Sequence, residues 1–414
     1  MFKKALPLLL LGGLSFGITL QDAVNSALKN NLQLKAQYFH YLGAKNDFYS
    51  QLAARFGELD LFWKYQQFKT PRIVAPINSF PPTGLDDQVR TYGLQYRVRL
   101  FDGCQQFFLI KAKKDTANLE WVNWKKLSEE VKRDVSKVYF SALEVKARLE
   151  ALKERKKEVD RLYEIVKEAY EVGKKPLLDL LNVRAERKNI EAQISLLRSQ
   201  YKTLLNQLKV LLNTDKPLEV EDVQINPRRI EGDRLLSELL AKNPDLKVVA
   251  LQKVIADDYR KVAMAEFSPK VNFVYTTQKY VYAGRKTSDW SYAVEVNLPI
   301  FDFGRRFFTY RKARSEERKV KELHKLVEKR VLETFKSLVD ELNSQIEVIE
   351  ANQKRLEFAR EAYKVEKKKY LTGKSDIYNL LKAEALYYTA LGEYRASIYK
   401  WGQLKAELDY LLGR

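Results

Sequence analysis

The chain is poor in the residues that most active and metal sites use. It carries one cysteine, Cys104, and two histidines, His40 and His324, in 414 residues. A single cysteine excludes an internal disulfide, and two histidines far apart in sequence supply no histidine–cysteine metal constellation. No nucleophile-elbow GxSxG, phosphate loop or dinucleotide fingerprint is present. Carboxylates are plentiful, but they stand among lysines and arginines at helical spacing, where i,i+4 pairing accounts for them. The expectation is a protein without cofactor or metal that is not an enzyme. Glycine and proline are scarce as well, 16 and 11 in all. Neither occurs between Gly103 and Gly173, nor between Gly304 and Gly373. Long apolar runs are also missing: only Ala5–Leu14 approaches one, and it is too short to span a bilayer as a helix.

What is present begins at that run. MFKKALPLLLLGGLSFG has two lysines, an apolar stretch and then small residues, the order of a secretory signal peptide over residues 1–17 with cleavage after Gly17. No cysteine lies near that site to carry a lipid anchor. The mature chain is expected to be exported, and any contact with lipid has to come from something other than a transmembrane helix. Lysine and arginine number 74 against 54 acidic residues, a net charge of +20. Such a charge suits nucleic acid or an anionic membrane surface. No basic patch sits beside nucleic-acid-binding aromatics, so solvated helix faces are the better account and no nucleic-acid partner is expected.

The chain repeats itself. VRLFDGCQQFF at Val98–Phe108 returns as LPIFDFGRRFF at Leu298–Phe308, and residues 91–213 align with 291–413 at a constant offset of 200. Upstream the offset grows to 212, where NLQLK from Asn31 faces NPDLK from Asn243, the extra residues being assigned to one loop, Thr70–Arg90. The chain is expected to be an internal duplication, with repeat 1 over 18–213, a linker over 214–232 and repeat 2 over 233–414. Chain breakers are strong local punctuation, so about 68 residues without them predict one long helix per repeat, at about 104–172 and 305–372. Leu152, Val159, Leu162, Val166 and Tyr170 recur at spacings of seven, three and four, a narrow coiled-coil seam. Return helices are expected at about 176–213, with Pro176 in the first turn, and at about 376–412. A further helix of about 36 residues is expected ahead of each strand pair, Leu20–Arg55 and Asp233–Glu266.

Between those helices the period drops to two. Tyr92, Leu94, Tyr96, Val98 and Leu100 alternate with Gly93, Gln95, Arg97 and Arg99. Trp290, Tyr292, Val294, Val296, Leu298 and Ile300 alternate with Ser291, Ala293, Glu295, Asn297 and Pro299. Strands are expected at about 56–67, 90–101, 270–282 and 290–301, each near the length of a tilted membrane strand. Aromatics at strand ends favour a membrane barrel over a soluble sheet. Four strands cannot close a barrel, and open edges are not tolerated in lipid, so the chain must associate with copies of itself.

The signal peptide, the doubled helix–strand–strand–helix–helix unit, NPDLK, the two FD junctions and the glycine turns YEVGKKPLLDLLNVRAE and YLTGKSDIYNLLKAEAL together resemble the TolC family of outer-membrane channel proteins. The likeness implies an α+β membrane protein: a homotrimer with a twelve-stranded β-barrel in the outer membrane, continuous with a long α-helical coiled-coil barrel through the periplasm. It implies a passive exit duct for drugs, metals or similar small molecules, served by a periplasmic adaptor protein and an inner-membrane efflux pump or ABC exporter. A type I protein-secretion outlet would use the same conduit. A soluble basic coiled-coil scaffold remains the alternative from another class.

The resemblance also implies roles for particular residues. Gly173 and Gly373 would turn the helices at the periplasmic tip. Asp179 and Tyr370 match a latch pair that holds the tip closed, and Asn182 follows one turn on. Ser375 stands where an arginine is expected, with Lys374 the nearest substitute. Asn379 and Lys382 replace the aspartates that form cation-favouring rings in relatives, so a lysine ring disfavouring cations is expected instead. Phe101, Asp102, Pro299, Phe301, Asp302 and Gly304 would form the strand-to-helix junctions, with each aspartate capping the helix that follows. Arg305 and Arg306 would lie near the headgroup boundary.

Overall fold

The computed structural model describes residues 16–77 and 84–414. The expected leader therefore lies outside the described residues, apart from its last two. Those two belong to a strand, β1 (Phe16–Ile18), so a cut after Gly17 would leave Ile18 alone to pair with Val220. The first half continues with α1 (Leu20–Asn30), α2 (Leu32–Ala53), β2 (Glu58–Ile73), β3 (Leu85–Phe101), α3 (Gln105–Glu171) and α4 (Leu177–Leu212). The second has β4 (Leu218–Val220), α5 (Gly232–Lys242), α6 (Pro244–Ala265), β5 (Lys270–Tyr282), β6 (Arg285–Asn297), α7 (Arg305–Leu371) and α8 (Ile377–Leu411). Helices α3 and α7 have 67 residues each, which makes each about 100 Å long. No described helix is long and apolar enough to cross a membrane.

The chain divides into two compact units. One, residues 37–123 and 246–328, holds an antiparallel sheet of order β2-β3-β5-β6. Its register decides what the alternation means. Leu61 pairs with Leu94, Trp63 with Tyr92, Tyr96 with Tyr275 and Tyr275 with Tyr292. Directly opposed residues share a face, so Leu61, Trp63, Tyr92, Leu94, Tyr275 and Tyr292 meet on one side while Asp60, Gln95, Thr276 and Ser291 occupy the other. Leu61 is 81% exposed, Trp63 67% and Trp290 62%. An apolar sheet face left uncovered on this scale needs a partner.

The other unit, built from residues up to Ala36, Trp124–Asp245 and Lys329–Arg414, is helical. Ala23, Ala27, Val135, Leu143, Leu208 and Leu212 form its central core. The buried Tyr139 hydroxyl lies 2.8 Å from the carbonyls of both Ile18 and Glu221, fastening the small parallel sheet of β1 and β4 to α3. The expected linker is thus partly a strand. Its later part is also held, since Ile230 N–H donates to Asn343 Oδ1 at 2.9 Å and Asn343 Nδ2 donates back to the Ile230 carbonyl.

Several expectations need correction. The helices ahead of the strands are not continuous, because Asn31 separates α1 from α2 and Asn243 separates α5 from α6. Each asparagine is buried, and each serves two masters. Asn31 Oδ1 accepts from the N–H of Gln33 and Leu34 while its Nδ2 donates to the Leu211 carbonyl. Asn243 does the same with Asp245 N–H at 3.0 Å and the Leu411 carbonyl at 2.9 Å. Side-chain capping therefore competes with helix continuation and wins. Asn243→Ala should lower the stability of the helical unit by about 1–3 kcal/mol, because two buried groups lose their partners. A shift of the denaturant midpoint checks this, with the exposed Asn189→Ala as control.

The strands also depart from expectation. β2 and β3 extend to Ile73 and back to Leu85, shortening the loop assigned to Thr70–Arg90. Ala75, Val89 and Tyr282 pack together there, and Asp86 Oδ2 accepts from Ala283 N–H. β6 stops at Asn297, four residues before the expected 301. Asn297 pairs with Lys270, the first residue of β5, and Pro299 offers no N–H to continue a ladder. In the seam on α3, Val159 and Val166 are fully buried, but Tyr170 is exposed. Pro176 precedes α4 as its N-cap, with extended backbone, and is not in its first turn.

Candidate functional site

The junctions, within the sheet unit, turn on paired left-handed residues. Gly103 and Cys104 have φ of 68° and 67°, and Phe303 and Gly304 have 55° and 88°. Both positions are thus left-handed in both copies, although each copy places glycine at only one of them. The turn directs the preceding aspartate at the helix. Gln106 N–H donates to Asp102 Oδ2 at 3.0 Å, and Arg306 N–H donates to Asp302 Oδ2 at 3.2 Å. Arg306 Nε also donates to Asp302 Oδ2 at 2.7 Å, and this bond holds the Asp302 carboxyl below its usual range. Arg306 is buried and lies over the Phe267 ring, whereas Arg305 is exposed. Phe301 is exposed on an extended segment with Pro299, beyond the end of β6, whereas Phe101 closes β3.

At the other end of the long helices, in the helical unit, two hairpins close with the same geometry. Gly173 and Gly373 adopt φ of 74° and 73°. Their N–H groups donate to the Tyr170 and Tyr370 carbonyls, and Lys174 and Lys374 donate to Ala169 and Lys369 at 2.8 Å each. These are Schellman closures, which require a left-handed residue and so favour glycine. Beyond the turns, Val166, Val183, Tyr370, Ile377 and Leu380 share one core, so the two hairpins pack against each other.

Tyr370 and Asp179 are brought near one another, though Tyr370 makes no hydrogen bond to Asp179. Lys175 stands between them, with its Nζ 4.3 Å from the centre of the Tyr370 ring and 3.9 Å from Asp179 Oδ2. Burial pushes the Tyr370 hydroxyl up to about 12, and the Asp179 charge adds to the rise. Asn182 is half-buried one turn further along α4. Ser375 Oγ donates to Glu366, while Lys374 is exposed and makes no ion pair among the described residues. Asn379 is engaged locally: its N–H and Nδ2 donate to the two oxygens of Asp376, the N-cap of α8. Lys382 is exposed and makes no ion pair among the described residues.

The sequence profile of the outer membrane efflux proteins matches residues 23–214 and residues 235–414. The chain belongs to the outer membrane efflux protein family. Comparison with curated proteins by sequence returns no match. Among solved structures, the fold is similar to the outer membrane channel CmeC of Campylobacter jejuni at TM-score 0.81 and 18% identity, over 95% of this chain and 85% of that one. It is similar to the outer membrane protein VceC of Vibrio cholerae at TM-score 0.81 and 16% identity, over 95% and 96%. The MtrE channel of Neisseria gonorrhoeae, solved in its open state, matches at TM-score 0.76 and 16% identity, over 95% and 88%. This is a family of channel proteins, not of enzymes.

One cluster in this efflux-family chain had no signal in the sequence. Arg155 on α3, Glu186 on α4 and Glu384 on α8 meet inside the helical unit, with Arg155 Nη2 2.7 Å from Glu186 and its Nε 3.7 Å from Glu384. Glu384 is 2% exposed, and burial pushes its carboxyl up to about 7 against the opposing pull of Arg155. In sequence it is one of many glutamates on a helix. Only the packing of α8 separates it from the solvated ones.

Proposed function

We propose that the chain is one subunit of a homotrimeric exit duct in the outer membrane. It would conduct small molecules passively outward from a periplasmic adaptor and an inner-membrane pump. The observation that carries this reading is the sheet of β2, β3, β5 and β6, whose two outer edges are open and whose apolar face is uncovered. Lipid accepts an apolar face but not an unpaired strand edge. Pairing β6 of one subunit with β2 of the next removes both edges at once, and three subunits bring twelve strands, within the range of known membrane barrels. Helices α2 and α6 lead into the sheet and α3 and α7 lead out, so closing the strands also sets the helices into a ring.

Within this reading the tip hairpins close or open the duct and receive the adaptor. Energy comes from the pump, in keeping with a sequence that carries no phosphate loop or dinucleotide fingerprint. Fractionation tests the reading. The protein is expected in the membrane fraction, extracted only by detergent, and migrating at about three times the 48.4 kDa chain. Recovery as a monomer in the aqueous fraction would instead favour the soluble scaffold.

A further inference from the structure

A buried charge lies on the seam between the hairpin α3–α4 and the hairpin α7–α8. We propose that Glu384 is a proton-controlled clasp on this seam: protonated, it lets α8 bed against α3, and ionised, it loosens that contact. The geometry carries the argument. Glu384 is almost fully buried, and its Oε1 has no hydrogen-bond partner. The nearest cation, Arg155, is already committed to Glu186 and has an unbonded Nε of its own.

The charges facing Glu384 come from every helix around it. Arg155 and Glu158 project from α3, Glu186 from α4, and Lys367 from α7, where it pairs with Glu158 at 3.3 Å. Tyr363 of α7, with Tyr387 and Tyr388 of α8, supplies the aromatic wall, Tyr363 stacking on Tyr387 at 5.7 Å. Glu158 is also held by Arg161 at 2.7 Å and Glu186 by Arg155 at 2.7 Å, so Glu384 is the carboxylate left without a committed cation. Ionised, Glu384 holds a buried charge that no cation is free to match; one proton on it removes that charge. Further along the same seam, Arg148 grips Glu393 with two bonds of 2.8 and 3.2 Å in a half-exposed setting. That end holds its carboxylate in a paired, half-exposed contact, so the clasp acts only on the end toward Gly173 and Gly373.

The sign follows from the raised carboxyl. Its folded value of about 7 lies above the ordinary 4.5. Its contribution is therefore fully present below 4.5 and is lost as pH rises through about 7. An acidic periplasm tightens the seam and an alkaline one relaxes it. This goes beyond the duct reading, since it concerns packing inside one subunit and its test needs no transport.

Hydrogen exchange on the full chain in detergent tests the clasp. In the wild type, the protection of amides in 378–390, corrected for chemical exchange, should fall about tenfold or more between about pH 5.5 and about pH 8.5. The stretch 393–403 should stay flat. Glu384→Gln should keep 378–390 protected across the range. A flat wild-type response at 378–390, or the same response in Glu384→Gln, overturns the proposal. Should the variant fail to fold, the wild-type contrast between the two stretches decides alone.

Discussion

If the chain forms the proposed duct, Gly93→Val is expected to abolish its membrane-inserted form. Gly93 sits in β3, between Phe62 of β2 and Gln278 of β5. A Cβ at this position would lie 2.2 Å from the Thr277 carbonyl oxygen and 2.7 Å from the Gln278 Cα. Both are backbone atoms of a paired strand and cannot yield without opening the β3–β5 ladder, which joins the strand pairs of the two halves. Overpacking a core side chain typically costs about 1–3 kcal/mol, and a clash against a central ladder lies at or above the top of that range. The expected result is loss of the detergent-resistant oligomer and of protein in the membrane fraction. Gly43→Ala is the control, because nothing lies within 4 Å of its added Cβ and it sits in α2, where alanine is the better helix former. A Gly93→Val protein that assembles at wild-type yield would show that the sheet register has been misread.

The second large effect is on ion preference. Lys174, Lys368, Lys369, Lys374 and Lys382 cluster around the two glycine turns, all exposed and without ion pairs among the described residues. Of the acids nearby, Asp179 faces Lys175, Asp376 caps α8 and Glu366 accepts from Ser375, and the exposed Glu168 and Glu171 are outnumbered by the five lysines. Free positive charge at a narrow mouth repels cations and draws anions. In a trimer, Lys382→Asp changes the charge there by six. An ion passing within about a Debye length, ~8 Å, feels each charge at roughly 0.2 kcal/mol in water after screening, or about 1 kcal/mol for the change of six. The swap should therefore move the anion-over-cation preference by about tenfold or more. Reversal potentials of single channels in a salt gradient measure this. The wild type is expected to show no strong cation preference, and Lys382→Asp to move toward cations. Strong cation preference in the wild type, unchanged by the substitution, would remove the lysines from the selectivity argument.

Much of the architecture was legible because it is written locally. Two spans free of glycine and proline contain the two 67-residue helices. Alternation in Tyr92–Leu100 and Trp290–Val296 marks strands, since a two-residue period is a property of the strand itself. The left-handed turns at Gly173 and Gly373 are written in the same way, as single glycines ending uninterrupted helix. The candidate tip was less readable. Asp179 and Tyr370 can be named from their spacing to those glycines, but the cation joining them, Lys175, cannot.

What the sequence by itself determined is what depends on near neighbours along the chain: helix length, strand period, turn position and the doubling of the pattern. What the tertiary structure alone decided is whatever a partner from another segment settles. Asn31 and Asn243 break helices because the carbonyls of Leu211 and Leu411 lie within reach. β6 ends at Asn297 because β5 begins opposite it. β1 and β4 exist because each finds the other, with Tyr139 between them. Glu384 differs from every solvated glutamate of the long helices only because α8 buries it beside an arginine already engaged elsewhere. The cost of desolvating a charge depends on what surrounds it in space, and the order of residues along the chain does not contain that information directly.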